Sequence, residues 1–178
     1  MAVQPFNYNY TVIQMLTRFE AGVIDNSTGG VVTLENGSQL TLPADGVANR
    51  DGSPYSGAVH VKMNSIDPAS LDLFEQMPGN LSGFGLEGEL AAMASYGMLM
   101  VELESENGTL LQMAEGKEAE LQFAVPDKLL ADAPSQIPLW YFDEEEGYWY
   151  EEGSAVLQFD KYIGKVSHFS TWNCDRKV

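Results

Sequence analysis

The chain has 178 residues, is 44% hydrophobic, and carries a formal charge of −17 with an isoelectric point near 4.2. That length fits one domain, or a single two-lobed sandwich, with room for a real core. The composition excludes wholesale disorder, and the charge excludes nucleic acid and anionic membranes as partners. It suits basic partners, divalent cations, or simply a solvated acidic face. No apolar run approaches the ~20 residues that span a bilayer, so no membrane insertion is expected. The N-terminus lacks the basic-then-apolar order of a signal peptide. Cys174 is the single cysteine, which excludes an internal disulfide and disfavours a thiolate metal site.

In chain order, residues 1–28 read as a leader with a candidate first strand. Within it, Thr11 to Glu20 fits a strand or a short helix, and Asp25 to Gly30 is turn chemistry. Val31-Val-Thr-Leu34 and Ser38-Gln-Leu-Thr-Leu42 flank Asn36-Gly37, a hairpin signal. Pro43 to Gly57 reads as a loop. Gly57 to Met63 alternates, with Val59 and Val61 on one face and His60 and Lys62 on the other. Asp67 to Gly79 holds one short helical turn at most.

Glu89–Tyr96 and Gly97–Glu104 read as two strands, the second turning at Asn107-Gly108 into Thr109 to Met113. Glu118 to Val125 places Ala119, Leu121, Phe123 and Val125 inward. Leu129 to Ala133 is at most a short helix, closed by Pro134. Pro138 to Phe142 and Tyr148 to Tyr150 form an aromatic hairpin around the acidic turn Asp143 to Gly147. Ala155 to Phe159 pairs with Tyr162 to Phe169, and Val166 to Asn173 reads as the final strand. Short strands joined by Gly, Pro and Asn turns predict an all-β, antiparallel β-sandwich with at most short helical turns.

Few side-chain sets carry chemistry. The acidic turn with Glu151 and Glu152 offers oxygen ligands for calcium, but not in the Asp-x-Asp-x-Asp-Gly order. Trp140, Tyr141, Tyr148, Trp149 and Tyr150 can form a glycan platform or ordinary cross-strand packing. No Gly-x-Ser-x-Gly elbow and no Gly-x-x-x-x-Gly-Lys loop occurs. Gly83 to Gly88 echoes a dinucleotide pattern outside its strand–helix context. No cofactor and no metal is expected. Asn9, Asn26, Asn36, Asn80 and Asn107 satisfy the N-glycosylation pattern, in keeping with turns rich in Asn, Ser and Thr.

His168-Phe169-Ser170 is different, because it sets three reactive parts in sequence. A serine hydroxyl can attack the carbonyl before it, giving an ester that water hydrolyses. The imidazole of His168 would act as base, Ser170 as nucleophile and Phe169 as acyl donor. The Phe169–Ser170 amide must be twisted for this, and an oxyanion donor must be supplied. Otherwise Val166, His168, Ser170 and Trp172 share one face of an ordinary strand.

Gly29-Gly-Val-Val-Thr-Leu, Gly37-Ser-Gln-Leu-Thr-Leu-Pro43 and Gly57-Ala-Val-His-Val resemble the opening of ZU5-type domains. Ile137 to Asp143, Gly147 to Gly153 and Val166-Ser-His-Phe-Ser-Thr-Trp-Asn173 look like Bacteroidetes-type bacterial surface proteins. They are also similar to a segment of the cartilage intermediate layer protein family. The resemblance covers roughly residues 29–175, which it implies to be a ZU5-like β-sandwich, with 176–178 as a tail. It implies a secreted or cell-surface protein with further domains downstream. Some ZU5 domains, as in the death-domain protein PIDD, self-cleave between Phe and Ser of His-Phe-Ser; others lack the motif. The expectation is therefore a surface module, not a turnover enzyme, with one-time autoproteolysis at Phe169–Ser170. The alternatives are a non-cleaving structural or adhesion module, or one that binds glycan or calcium.

Overall fold

Local turn chemistry and period-two alternation build nearly all of the molecule. The computed structural model describes residues 19–178; Thr11 to Arg18, read above as strand or helix, lie outside the described residues. The elements are β1 (Glu20–Asp25), β2 (Gly30–Thr33), β3 (Gln39–Leu42), β4 (Val47–Asn49) and β5 (Ala58–Ile66). After them come α1 (Leu73–Gln76), β6 (Ser82–Phe84), β7 (Leu90–Glu104), β8 (Leu110–Met113) and β9 (Ala119–Ala124). The chain ends with α2 (Asp127–Leu130), β10 (Gln136–Asp143), β11 (Tyr148–Gln158), β12 (Lys161–Val166) and β13 (Thr171–Lys177). The antiparallel all-β sandwich is as expected, and each helix is a single turn.

The Asn36-Gly37 and Asn107-Gly108 turns close the β2–β3 and β7–β8 hairpins. Gly37 and Gly108 both hold positive φ, 88° and 77°, which a side chain would strain. Alternation sorts faces as predicted: Val59, Val61, Ala119, Leu121, Phe123 and Val125 are buried. Asn26 is buried rather than displayed. Its amide donates to the Val47 and Tyr55 carbonyls and accepts from the Val47 N–H, pinning the 43–57 loop. That loop also contains the short strand β4, paired with β8, where turn composition alone suggested none.

The strands form one hydrogen-bonded path, β1-β5-β7-β13-β10-β11-β12-β9-β3-β2. It doubles back on itself, and close glycine contacts mark where the layers meet. Gly22 of β1 faces Val32 of β2, Gly97 of β7 faces Phe123 of β9, and Gly164 of β12 faces Leu139 of β10. Between the layers lies the larger core, including Leu40, Val61, Leu99, Leu121, Phe123 and Trp172. Burial of such side chains from water is the main driving term.

A second core arises because β6 pairs with both β7 and β11, the latter in parallel. Strands β6, β7, β13, β10 and β11 thus close a ring of hydrogen bonds. Trp140, Trp149, Met93, Met98, Ile66, Leu73 and Met77 form the cluster associated with it.

Several element boundaries differ from the sequence reading: β6 is not foreseen there, and Tyr148 to Tyr150 and Ala155 to Gln158, read as separate strands, are the single strand β11. Residues 90–104 are one strand, not two, because Gly97 keeps extended pairing with Cys174 and needs no turn. The predicted strand through Val166 to Asn173 is broken. β12 stops at Val166, residues 167–170 turn, and β13 begins at Thr171.

Candidate functional site

His168, Phe169 and Ser170 all lie in that turn, each half-buried. They do not alternate across a strand, so the single-face arrangement expected for His168 and Ser170 is replaced by a set of separate anchors. The Trp172 indole N–H donates to the His168 carbonyl at 3.1 Å, closing the turn from the strand that follows. The Ser170 hydroxyl donates to the Phe142 carbonyl at 2.5 Å, tying the turn to the end of β10. The Val101 N–H reaches the Ser170 carbonyl at 3.4 Å. Phe169 packs on the larger core.

The His168 ring is wedged between aromatic neighbours. Tyr141 meets it edge-on with centroids 4.8 Å apart, and Trp172 lies tilted at 5.0 Å. Its Nε2 faces Glu152 Oε2 at 3.3 Å. Glu152 was not singled out in the sequence as a partner for His168. Its signal was its place two residues after Tyr150 on β11, since Tyr150 pairs with Tyr141 and Tyr141 pairs with Trp172.

The structure therefore brings the three residues together in sequence but directs their polar atoms apart. The hydroxyl proton of Ser170 points at a backbone carbonyl, which cannot act as a general base, while the imidazole engages a carboxylate. Among the described residues, the non-glycine residues with positive φ are Asp45 and Phe159, neither within the tripeptide.

The other candidates are resolved by burial and bonding. Trp140 and Trp149 are fully buried, so the five-aromatic platform does not exist as one surface. Tyr141, Tyr148 and Tyr150 remain half-buried or exposed, with Phe84 stacked on Tyr150 at 5.6 Å. At the acidic turn proposed for calcium, three of the carboxylates are engaged by other groups. Asp143 Oδ1 caps the turn by accepting the Glu145 and Glu146 N–H groups, Glu146 accepts from the Tyr150 hydroxyl, and Glu151 pairs with Lys177 at 2.7 Å. Among the described residues no three His, Cys, Asp or Glu side chains converge as metal ligands.

Electrostatics follow this layout. The Glu146 carboxylate bonded to Tyr150 pushes that phenol up to about 12. Burial raises the Tyr141 phenol, and the charges of Glu152, Asp143 and Glu146 add to it. Burial also holds the Cys174 thiol well above its ordinary value, which leaves it an inert core group. His60, read as a surface histidine, meets Glu20 at 2.6 Å on the outer face of β5.

Beside the tripeptide opens a cleft of about 1500 Å3. One wall is residues 168–171, another is the β10–β11 tip from Tyr141 to Tyr148, and a third is Phe74 to Asn80. Its floor comes from β5, β7 and β8. Among the described residues, no helix is long and apolar enough to cross a membrane.

No protein-family model matches the chain, and no solved structure matches it. Over 151 residues, 82% of the chain, it is 28% identical to cartilage intermediate layer protein 2 of Mus musculus. It is 32% identical to the Homo sapiens protein of that name over 114 residues, 64% of the chain. Cartilage intermediate layer protein 1 of Mus musculus is 24% identical over 130 residues, 73% of the chain. The chain spans only a small part of each, 13%, 10% and 11% of their respective lengths. It is thus similar to one segment of the cartilage intermediate layer proteins.

Proposed function

We propose that the chain is an extracellular or cell-surface β-sandwich module, ZU5-like in kind, serving a structural role within a larger protein. The observation that carries this reading is the Ser170–Phe142 hydrogen bond. It commits the hydroxyl of the suggestive tripeptide to fastening β13 rather than to attacking its own peptide bond. Similarity to a segment of the cartilage intermediate layer proteins supports the extracellular setting. In this reading His168, Phe169 and Ser170 form the joint through which the last strand enters the middle of the sheet, between β7 and β10.

A second reading is favoured by one contact, that of Glu152 with His168. A carboxylate on one ring nitrogen orients an imidazole and fixes its tautomer. A rotation of Ser170 toward the ring would let Oγ attack the Phe169 carbonyl carbon while His168 takes the proton. The C–N bond then breaks as the Ser170 nitrogen is protonated, and water hydrolyses the ester to a Phe169 carboxylate and a free Ser170 hydroxyl. Intact-mass spectrometry under denaturing conditions separates the two. The structural module keeps one mass after long incubation at neutral pH. Fragments 1–169 and 170–178, summing to the chain plus one water and absent from Ser170→Ala, would establish cleavage instead.

A further inference from the structure

The cleft beside the tripeptide has a chemistry that the structural role does not use. Its lining includes six carboxylates, Glu75, Glu102, Asp143, Glu144, Glu145 and Glu146, against the cations Arg50 and Lys62. Lys62 already faces Glu104 at 3.5 Å. Among the described residues, the carboxylates of Glu75, Glu144 and Glu145 have no hydrogen-bond or ion-pair partner. Apolar surface sits between these charges: Phe74 is 69% exposed and Tyr148 42% exposed, with Phe142, Phe169 and Met100 deeper in the cleft.

We propose that this cleft is a docking groove for an extended, arginine- and lysine-bearing segment of a protein partner. Charge complementarity selects the occupant. An open, carboxylate-rimmed groove on a chain of net charge −17 repels phosphates, sulfated glycans and acidic peptides, and concentrates cations. The aromatic faces select further, because a guanidinium stacks on Phe and Tyr rings while its fork binds a carboxylate. At about 1500 Å3 the cleft exceeds the usual ~300–1,000 Å3 of small-molecule pockets, which leaves room for a peptide segment. This inference is independent of whether Phe169–Ser170 is cut.

The test uses the whole chain and a labelled eight-residue peptide alternating arginine and leucine, followed by fluorescence anisotropy. Saturable binding is expected, weakened about tenfold or more by the triple variant Glu75→Gln, Glu144→Gln, Glu145→Gln. A control with equal charge removed elsewhere, Glu35→Gln, Glu87→Gln, Glu115→Gln, should bind within about twofold of wild type, since exposed charges beyond a Debye length are screened. Phe74→Ala should weaken binding without changing its salt dependence. All of these positions are exposed, so thermal melts should match wild type. Equal weakening by both triples would mean general attraction to an acidic surface and would overturn the groove. Equal or tighter binding of a glutamine-for-arginine peptide, or of a neutral oligosaccharide, would overturn the cationic partner.

Discussion

Asn173 donates its side-chain amide to Asp175 across 2.7 Å, and neither side chain has any exposure to water. The Ser95 hydroxyl donates to the Asn173 side-chain amide oxygen at 2.7 Å, and the Trp140 indole donates to the Asp175 main-chain carbonyl at 3.1 Å. A bulge between Cys174 and Asp175 accompanies this polar cluster beside the second core. Asp175 Oδ1 has no hydrogen-bond partner among the described residues. A buried carboxylate left half-satisfied is costly, and the cost falls if the group is neutral.

Burial accordingly holds the Asp175 carboxyl well above its ordinary value, with the nearby Ser95 hydroxyl pulling the other way. Because the folded state binds this proton more tightly than the unfolded state, the stability it contributes is complete below the ordinary carboxylate range. That stability is lost as pH rises through the interval up to the raised value. A full proton of difference gives a slope of ~1.4 kcal/mol per pH unit. Asp175→Asn cannot ionise, so its melting temperature should gain on wild type steadily from pH 4 toward pH 8. Parallel melting curves for the two proteins across that range would show that Asp175 does not titrate in this way.

The ring closed by β6 depends on one close approach. A Cβ on Gly83 would lie 2.5 Å from the Trp149 carbonyl and 2.7 Å from its Cβ, and neither atom can swing away. Gly83→Ala should cost ~1–3 kcal/mol and shift tryptophan emission to the red as Trp149 gains water. At Gly97, where the nearest neighbours would stand at 3.5 Å, alanine should be neutral or slightly stabilising. Urea titrations of the two variants side by side measure the contrast.

Ser170→Ala removes the donor to Phe142 and should cost roughly 0.5–1.5 kcal/mol in chemical denaturation. If hydrogen exchange is followed as well, amides of β13 near Thr171 should lose protection before those of β9. A variant as stable as wild type, with unchanged exchange, would show that the bond does not hold the strand.

Glu146→Gln removes the charge of the acceptor that raises the Tyr150 phenol. The ultraviolet titration of that tyrosine should then move down from about 12 toward the ordinary value of 10.0, with the fold unchanged. An unmoved transition would place the cause elsewhere.

The hairpins at Asn36-Gly37 and Asn107-Gly108 and the inward faces of β5 and β9 were legible from sequence. Turn residues and period-two alternation act over a few neighbours, and no distant contact opposes them there. The stretch from Val166 to Asn173 alternates just as well, yet it turns. Alternation records which face each side chain prefers; it does not record that the Trp172 indole will cap the His168 carbonyl or that Ser170 will bond to Phe142.

What the sequence determined by itself is the β class, the Asn-Gly hairpin turns, the acidic composition and the single thiol. These follow from composition and from interactions between near neighbours. The tertiary structure decided that Trp140 and Trp149 are buried while Tyr141 and Tyr148 line a cleft, and that His168 meets Glu152 rather than Ser170. Both outcomes turn on closure of the β6-β7-β13-β10-β11 ring, which joins strands far apart in the chain. Such pairings depend on loop closure and packing of the whole sheet, and no short window of residues carries them.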